Sequence, residues 1–462
     1  MYQKLRSRAD RLLTSPVFSA GEIYSMAVPF VLDSLSIMFI LALITALISS
    51  SGEDSVAAVN LANPIMTMVV CALNGISAGG TVAVTQALGT RDLVRVKEAA
   101  GHILWLIGLV GIALSLPLVL FPRQTLCLLF GQAEPAVLDK AVRYLQGAAV
   151  SLIIFTVYTA VFSILRGLGE SKKCLYLTII INVANLLFSV LFINVLRMDI
   201  TGSCLALIAA RLLGSVCALL FLLLPRDLPI RMDLRSLFTF RRPIFNTILH
   251  VSIPLGLEQI FLYGGNILVT GFLVQLGTAA VAVHAIANSI FGLVTAAASA
   301  AGNLSVTVVG RCIGANEKQW AYDYGKRMIV LGLLLLAAAM AVLYPLFPFM
   351  LTSLYHAAPD TGAQALGILH SILLPTLLFW PISNVMPSVL RAASDATFPS
   401  VLSFATMWLV RVGLGYVLAI RLSWGLDGVW FTLWAEWAVR TVILWAHFRK
   451  KHWLHLAVPA DE

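Results

Sequence analysis

A segment of the chain, from Met26 to Glu98, occurs a second time further along at a constant offset of 225 in the numbering. With this offset, Pro29 corresponds to Pro254 and Asp33 corresponds to Glu258. The same offset relates further pairs: Asn63 with Asn288, Gly89 with Gly314, Arg166 with Arg391, and Glu170 with Asp395. One register held over about 140 positions indicates an internal duplication. The chain is therefore predicted to contain two homologous halves.

The composition excludes a water-soluble globular fold. Hydrophobic residues make up 60% of the chain and charged residues only 11%, whereas about a quarter of a soluble domain is charged. In lipid, every backbone polar group must be paired within the protein, so only α-helices or a closed β-barrel can span the bilayer. Continuous apolar runs such as residues 329–343 lack the alternating pattern of a barrel strand. The predicted fold class is an all-α polytopic membrane protein.

A transmembrane helix needs about 20 mostly apolar residues, and the chain has room for twelve, six in each half. Because six is an even number, both halves should have the same orientation and be related by an axis along the membrane normal. We predict two pseudo-symmetric six-helix lobes. The predicted boundaries are a leader at 1–22, an N-lobe at 23–224, a linker at 225–243, a C-lobe at 244–448 and a tail at 449–462.

The basic residues lie mainly in alternate loops. If the N-terminus is cytoplasmic, 23 of the 31 Lys and Arg residues fall in the leader, the cytoplasmic loops and the tail, and three fall in outer loops. This distribution follows the positive-inside rule and predicts that both termini are cytoplasmic. It also explains the net charge of +9 without a nucleic-acid partner, which would require a basic stripe on one face.

Motifs of enzymes and metal sites are missing from the sequence. The six cysteines are scattered, and none forms a C-x-x-C pair, so we expect neither a disulfide framework nor a metal site. The sequence contains no G-x-S-x-G elbow and no H-E-x-x-H helix, which argues against a hydrolase. We therefore expect no enzymatic activity.

Two acids at matching positions are candidates for cation coupling. An ionisable side chain at the middle of a membrane helix costs about 2.5–3.5 kcal/mol and is a functional candidate by default. Asp33 and Glu258 each follow a proline by about one helical turn, and a proline frees a backbone carbonyl. Carboxylate and carbonyl together would form an oxygen-rich site for a proton or a small cation. The alternative is that each acid lies near a helix end, where it is hydrated or paired with an arginine.

Other polar side chains within apolar segments are candidates for a substrate pathway. They are Asn63, Asn182, Asn185, His284 and Asn288. The pKa of histidine suits a proton switch, although a single histidine is also common as a packing residue. The asparagines could instead form hydrogen bonds between helices. Glu436 and Arg440 are four residues apart, which is typical of a structural ion pair on one helix.

Several motifs together resemble a known transporter family. Residues 79–89 read Gly-Gly-Thr-Val-Ala-Val-Thr-Gln-Ala-Leu-Gly, and residues 253–259 read Ile-Pro-Leu-Gly-Leu-Glu-Gln. The loop motifs Leu-Arg-Gly-Leu-Gly at 165–169 and Leu-Arg-Ala-Ala-Ser-Asp at 390–395 also fit. In their order and spacing these motifs resemble the multidrug and toxic compound extrusion (MATE) family, within the multidrug/oligosaccharidyl-lipid/polysaccharide flippase superfamily. The resemblance covers nearly the whole chain.

This resemblance implies secondary active efflux of organic, lipophilic and often cationic compounds by antiport with H+ or Na+. It implies two lobes forming a V, alternating access, and cation-handling carboxylates in the first and seventh helices, which match Asp33 and Glu258. The implied setting is a bacterial inner membrane, with small organic substrates and the lipid bilayer as partners. We expect a monomer and no cofactor besides the coupling ion.

The chain departs from the family at one place. Many members carry an acid near the far end of the first helix, where this sequence reads Leu43-Ile44-Thr45. Cation coupling through the first half must then use Asp33 or be absent. One alternative function is a flippase for a lipid-linked precursor, which would require a strongly cationic cavity and commonly has two extra helices. Another is a non-transporting scaffold or receptor, which predicts no alternating access.

Overall fold

The computed structural model describes residues 14–48, 53–130, 135–224, 228, 241–355 and 358–456. These residues are almost entirely helical, and no strand occurs among them, which confirms the predicted all-α class. Most of the predicted linker 225–243 lies outside the described residues. The same is true of 1–13 in the leader, of 457–462 in the tail, and of the side chains around Thr45.

Twelve main helices follow one another along the described chain. They are α1 (Ala20–Ile48), α2 (Glu53–Gly89), α3 (Leu93–Leu120), α4 (Pro135–Leu168), α5 (Ser171–Ser189), α6 (Asp199–Leu223), α7 (Arg242–Gln275), α8 (Thr278–Gly314), α9 (Lys318–Leu343), α10 (Pro359–Ala392), α11 (Thr397–Thr406) and α12 (Gly425–Arg449). A short helix at Pro122–Phe130 follows α3. Beyond their α-helical parts, α5 continues as π-helix to Val195 and α11 as π-helical turns to Arg421.

The helix boundaries repeat with the offset found in the sequence. The first positions of α2 and α8 differ by 225 (278 − 53), and so do their last positions (314 − 89). The first positions of α4 and α10 differ by 224 (359 − 135), and those of α6 and α12 by 226 (425 − 199). The π-helical ends of α5 and α11, an uncommon feature that usually lasts a single turn, also recur together. The helices thus repeat as the internal duplication predicts.

The turns are duplicated as well as the helices. Left-handed backbone, with φ between 51° and 83°, occurs at three pairs of matching positions: Arg91 and Asn316, Gly169 and Ser394, and Arg197 and Ser423. For a residue other than glycine this conformation costs about 1–2 kcal/mol. Five of these six residues are not glycine, so the helix–helix corners hold their shape against a local preference. Helix α3 begins where Asp92 accepts hydrogen bonds from the amides of Val94 and Arg95, a standard N-cap.

Ten helices in the described part of the chain are long and apolar enough to cross a membrane. They correspond to α2 through α11, with α5, α9 and α11 extended by their irregular turns. Helices α1 and α12 are not among these ten. The protein is therefore a multi-pass membrane protein, while the count of twelve spans stays a prediction.

The chain forms two compact units whose boundaries differ from the repeat boundaries. The N-unit comprises Ser36–Gly256, and the C-unit comprises Met1–Leu35 together with Leu257–Glu462. The chain passes from one unit to the other within α1 and again within α7. The N-unit thus contains α2 to α6, the second part of α1 and the first part of α7. The C-unit contains α8 to α12, the second part of α7 and the first part of α1. The lobes predicted from sequence follow the repeat instead.

The core of the C-unit includes the beginning of α1 and Phe18 just before it. Phe18 and Phe30 are both almost completely buried in a cluster built mainly from α8, α9, α10 and α12. The Phe18 ring lies edge-on to Tyr324 at 6.2 Å, and the Arg311 guanidinium lies 5.0 Å from its centre. These contacts explain why the beginning of α1 belongs to this unit rather than to its own repeat.

In the N-unit, small residues let the start of α7 approach α2 closely. A Cβ added to Gly75 would lie 2.6 Å from the carbonyl oxygen of Leu255, and one added to Gly79 would lie 2.8 Å from the Cα of Ser252. The Ser252 hydroxyl donates a hydrogen bond of 3.1 Å to the carbonyl of Ile76. The run of small residues around Gly79 therefore serves helix packing, as small residues do in membrane bundles.

Replacing Gly79 by Ala is expected to destabilise the protein by about 1–3 kcal/mol, because the new methyl group meets backbone that cannot yield. Gly108 on α3 is a matched control, since a Cβ there meets nothing within 4 Å. Gly108→Ala should be neutral or stabilising by up to about 1 kcal/mol. Thermal unfolding of both variants in the same detergent checks the pair. Equal melting temperatures would contradict the packing described for α2 and α7.

Candidate functional site

Glu258 lies in the membrane-spanning part of α7 and is held by two other helices of the C-unit. The Arg391 guanidinium at the end of α10 donates hydrogen bonds of 2.7 and 2.6 Å to the two carboxylate oxygens. The Ser400 hydroxyl in α11 donates a third of 2.6 Å. The Glu258 side chain is only 4% exposed and that of Arg391 only 16%. Of the two sequence-based interpretations, pairing with an arginine is the one observed.

The helices bring these groups together for local reasons. Arg391 is in the last turn of α10, where the helix dipole favours a cation. Ser400 is one turn into α11, just after the left-handed corner at Ser394. The arrangement has a direct chemical consequence: a proton or Na+ that reaches Glu258 must compete with Arg391 for the same two oxygens.

Asp33 is buried in α1, with 1% of its surface exposed. Because the C-unit includes the chain up to Leu35, Asp33 and Glu258 belong to the same compact unit although they come from different repeats. They occupy matching sequence positions, but Asp33 belongs to the unit formed mainly by the opposite repeat and Glu258 to the unit formed mainly by its own. Their surroundings are therefore not equivalent, a distinction that the sequence offset alone does not reveal.

The five residues predicted for the substrate pathway are spread over three helices. Asn63 on α2 and Asn288 on α8 are exposed, and Asn182 and Asn185 on α5 are half-buried. His284 is half-buried on α8, with its ring 5.3 Å from that of Trp430. None of these five is among the partners that the described residues give to Glu258. Their roles stay predictions.

A second charged cluster in the C-unit contains two arginines and one acid. Glu436, buried on α12, is bonded to Arg440 one turn later, as the spacing predicted. It also contacts Arg411, whose Nε lies 3.3 Å from the second carboxylate oxygen. Arg411 donates a further hydrogen bond of 3.2 Å to the side-chain oxygen of Asn266 on α7. We call these three residues, Arg411, Glu436 and Arg440, the arginine cluster.

The N-unit carries a half-buried arginine on α6. Helices α6 and α12 are related by an offset of 226, as are the turns at Arg197 and Ser423, so Arg211 corresponds to Trp437 in the duplication. Its guanidinium donates a hydrogen bond of 2.6 Å to Ser151 and lies 4.9 Å from the centre of the Phe155 ring. The matching position in the C-unit is uncharged, so the two repeats differ in charge here.

Sequence reasoning identified Arg440 as a partner of Glu436 but did not identify Arg391 as the partner of Glu258 or Arg411 as a second partner of Glu436. Arg391, Arg411 and Glu436 are far from Asp33 and Glu258 along the chain, and their contacts depend on how the helices pack. The available signal was weaker: charged residues within long apolar segments need partners, and Arg411, Glu436 and Arg440 all lie in such segments.

Comparison with known proteins gives consistent matches along the chain. The sequence model of the MatE family matches residues 29–191 and again residues 254–417. The starting positions of the two matches differ by 225 (254 − 29), which is the offset of the internal duplication. Together they cover more than half of the chain.

Curated relatives cover nearly the full length. The Uncharacterized transporter YisQ of Bacillus subtilis (strain 168) is 25% identical over 450 residues, which is 96% of this chain and 97% of that protein. The Probable multidrug resistance protein NorM of Thermotoga maritima is 22% identical over 452 residues, covering 96% and 94%.

Solved structures share the fold. The outward-facing conformation of a multidrug resistance MATE family transporter of the MOP superfamily has a TM-score of 0.85 at 18% identity, covering 95% of this chain and 96% of that one. MATE in the straight conformation gives a TM-score of 0.86 at 19% identity, covering 96% and 98%. At this identity the likeness establishes the architecture of the helices, and residue roles have to come from the chain itself.

Proposed function

The chain belongs to the MatE (multidrug and toxic compound extrusion) family, and we propose that it exports organic compounds by antiport with H+ or Na+. The proposed setting is a bacterial inner membrane with both termini in the cytoplasm, a topology supported by the excess of Lys and Arg in alternate loops. We propose a monomer that needs no cofactor besides the coupling ion. Alternating access of the two repeats is the transport cycle that suits such a duplicated bundle.

The observation that carries the coupling proposal is the buried contact between Glu258 and Arg391. Taking two charges out of water is expensive, and well-packed apolar residues often hold helices together as well or better. A buried ion pair in a membrane span is therefore better explained by a switch than by stability. Asp33 is proposed as a second cation site, since it is the acid that corresponds to Glu258 in the other repeat.

The proposed switch works by competition at one carboxylate. When a proton or Na+ binds Glu258, the carboxylate no longer balances the charge of Arg391, and the bond that ties α7 to α10 is lost. When the cation leaves, the pair re-forms. Cation binding on one side of the membrane and release on the other would in this way favour different arrangements of these helices, which is what coupling requires.

The energy available is sufficient for efflux. Moving one charge through 100 mV releases about 2.3 kcal/mol. Since each tenfold ratio of concentrations corresponds to about 1.4 kcal/mol, one charge per cycle could sustain a substrate gradient of roughly 40-fold.

Transport by the purified protein in liposomes tests the proposal. An inward H+ gradient and an inward Na+ gradient are imposed in separate experiments, and the movement of a fluorescent substrate is followed. We expect one of the two gradients to drive dye movement, and an ionophore that collapses that gradient should reduce the rate to that of protein-free liposomes. Dye movement that is the same with and without both gradients would overturn antiport and favour a passive flippase or channel.

A further inference from the structure

The arginine cluster carries one more positive charge than it can balance internally. Both arginines contact the same acid, Glu436. The remaining partners are neutral: the Asn266 oxygen and the Met407 sulfur for Arg411, and the Thr406 hydroxyl for Arg440 at 3.4 Å. An uncompensated charge at membrane depth is costly and is usually found facing the bundle interior or a water-filled cavity. The cluster thus offers a cationic surface rather than a closed ion pair.

The two arginines are not equivalent. Arg440 is 8% exposed in its side chain and holds Glu436 within α12, whereas Arg411 is 19% exposed. Arg411 also reaches Asn266, which is on the exposed surface of α7. The neutral combination is therefore Glu436 with Arg440, and the surplus charge resides on Arg411, the member that a ligand can approach.

Buried donors without an acceptor occur on the same helix. Among the described residues, the indole Nε1 of Trp430 and the Nε of Arg440 find no hydrogen-bond acceptor, although both side chains are more than nine-tenths buried. His284 lies next to Trp430, with the two ring centres 5.3 Å apart. Indole and guanidinium nitrogens only donate. Glu436 Oε2 also has no hydrogen bond among the described residues and is in ionic contact with Arg411. An anion would supply acceptors to the two unpaired donors.

We propose that Arg411 binds the acidic group of an anionic or zwitterionic organic substrate, with the aromatic side chains of α12 next to its apolar part. This inference rests on the proposed transport function and specifies its substrate class, which the family resemblance alone leaves as often cationic. The acidic group can be a carboxylate or sulfonate of a soluble compound or the phosphate of a lipid headgroup, since all three suit the fork of a guanidinium. Arg211 places a second cation in the N-unit, next to Phe155.

Binding of two dyes with related ring systems and opposite charge tests this proposal without any ion gradient. The full-length protein is placed in nanodiscs of phosphatidylcholine, and the affinities for carboxyfluorescein, an anion, and rhodamine 6G, a cation, are measured by fluorescence anisotropy. We expect carboxyfluorescein to bind more tightly. Arg411→Gln should weaken its binding by roughly 10-fold or more, as expected for the loss of a hydrogen bond to a charged group, and should leave rhodamine 6G binding unchanged or improved.

Arg421→Gln is the matched control, because Arg421 is an exposed arginine ten residues further along the same segment. It should change both affinities by less than about 2-fold, since exposed charges contribute little. Arg411→Gln should fold, because it leaves the neutral pair of Glu436 and Arg440, and thermal unfolding verifies this. Arg411→Lys keeps the charge and should retain part of the anion preference.

Competition identifies the source of the acidic group. Displacement of carboxyfluorescein by benzoate or benzenesulfonate supports a soluble organic acid, and displacement by short-chain phosphatidylglycerol supports a lipid headgroup. Tighter binding of rhodamine 6G than carboxyfluorescein, or equal effects of Arg411→Gln and Arg421→Gln, would overturn the proposal. A protein that binds the anion in this way but shows no gradient-driven transport would refute the antiport proposal alone.

Discussion

Glu258→Gln is expected to abolish cation-driven transport and to lower the free energy of unfolding by about 3–5 kcal/mol. The transport loss follows because the amide cannot be protonated or bind Na+ as a carboxylate does. The stability loss has a different cause: Arg391, which is 16% exposed, is left as a buried charge without its acid. Gradient-driven dye transport in liposomes and thermal unfolding in detergent measure the two effects.

A double variant separates these effects. Glu258→Gln combined with Arg391→Gln removes both charges, so most of the lost stability should return, while coupling should stay absent. Ser400→Ala is a milder probe, since it removes one of the three hydrogen bonds to the carboxylate and should cost about 1–3 kcal/mol. If the double variant transported at the wild-type rate under a cation gradient, Glu258 would have only a structural role.

Glu436→Gln should be the most destabilising single substitution in the C-unit. It removes the acid that both Arg411 and Arg440 contact, so two arginines at membrane depth lose their counter-charge. Since breaking one buried pair costs about 3–5 kcal/mol, we expect a loss at the upper end of that range or beyond it. Thermal unfolding, together with the yield of folded protein after size-exclusion chromatography, provides the measurement.

Two controls test whether charge balance is the cause. Adding Arg440→Gln to Glu436→Gln removes one of the two stranded charges and should recover part of the stability. Asp427→Asn changes an exposed acid in the first turn of the same helix and should have an effect below about 1 kcal/mol. A melting temperature of Glu436→Gln equal to that of Asp427→Asn would show that the arginine cluster is balanced by other groups.

Much of the fold could be predicted from the sequence because it depends on local and periodic signals. Long apolar segments determine the helices, since lipid leaves the backbone no other way to pair its polar groups. The constant offset between Pro29 and Pro254 already describes how the second set of helices repeats the first. Even the duplicated corners are consistent with it, because the glycine at 169 and the serine at 394 occupy matching turns.

The boundaries of the packed units were not predictable in this way. Whether the start of α1 packs with its own repeat or with the other depends on contacts such as that of Phe18 with Tyr324, two residues from opposite repeats. The apolar pattern of α1 is the same in either case. This placement decides that Asp33 and Glu258 have different surroundings despite their matching positions.

The candidate site was predictable in part. Glu258 could be identified because a carboxylate in an apolar helix is unusual and because Asp33 repeats it. Its partners Arg391 and Ser400 could not, since a helical segment specifies which face is polar but not which distant helix it meets. Arg411 shows the same limit: its sequence context indicates a buried charge, and only the packing of α11 against α12 shows that it shares one acid with Arg440.

The most direct test of cation coupling is to let the outward flow of dye drive the entry of the coupling cation. Liposomes containing the protein are loaded with dye, diluted into dye-free buffer without any imposed ion gradient, and the entry of H+ or radioactive Na+ is recorded as the dye leaves. Because coupling is reciprocal, the account predicts that one of these cations enters with the wild-type protein and does not enter with the Glu258→Gln/Arg391→Gln variant. Dye exit from wild-type liposomes with no entry of either cation would contradict it.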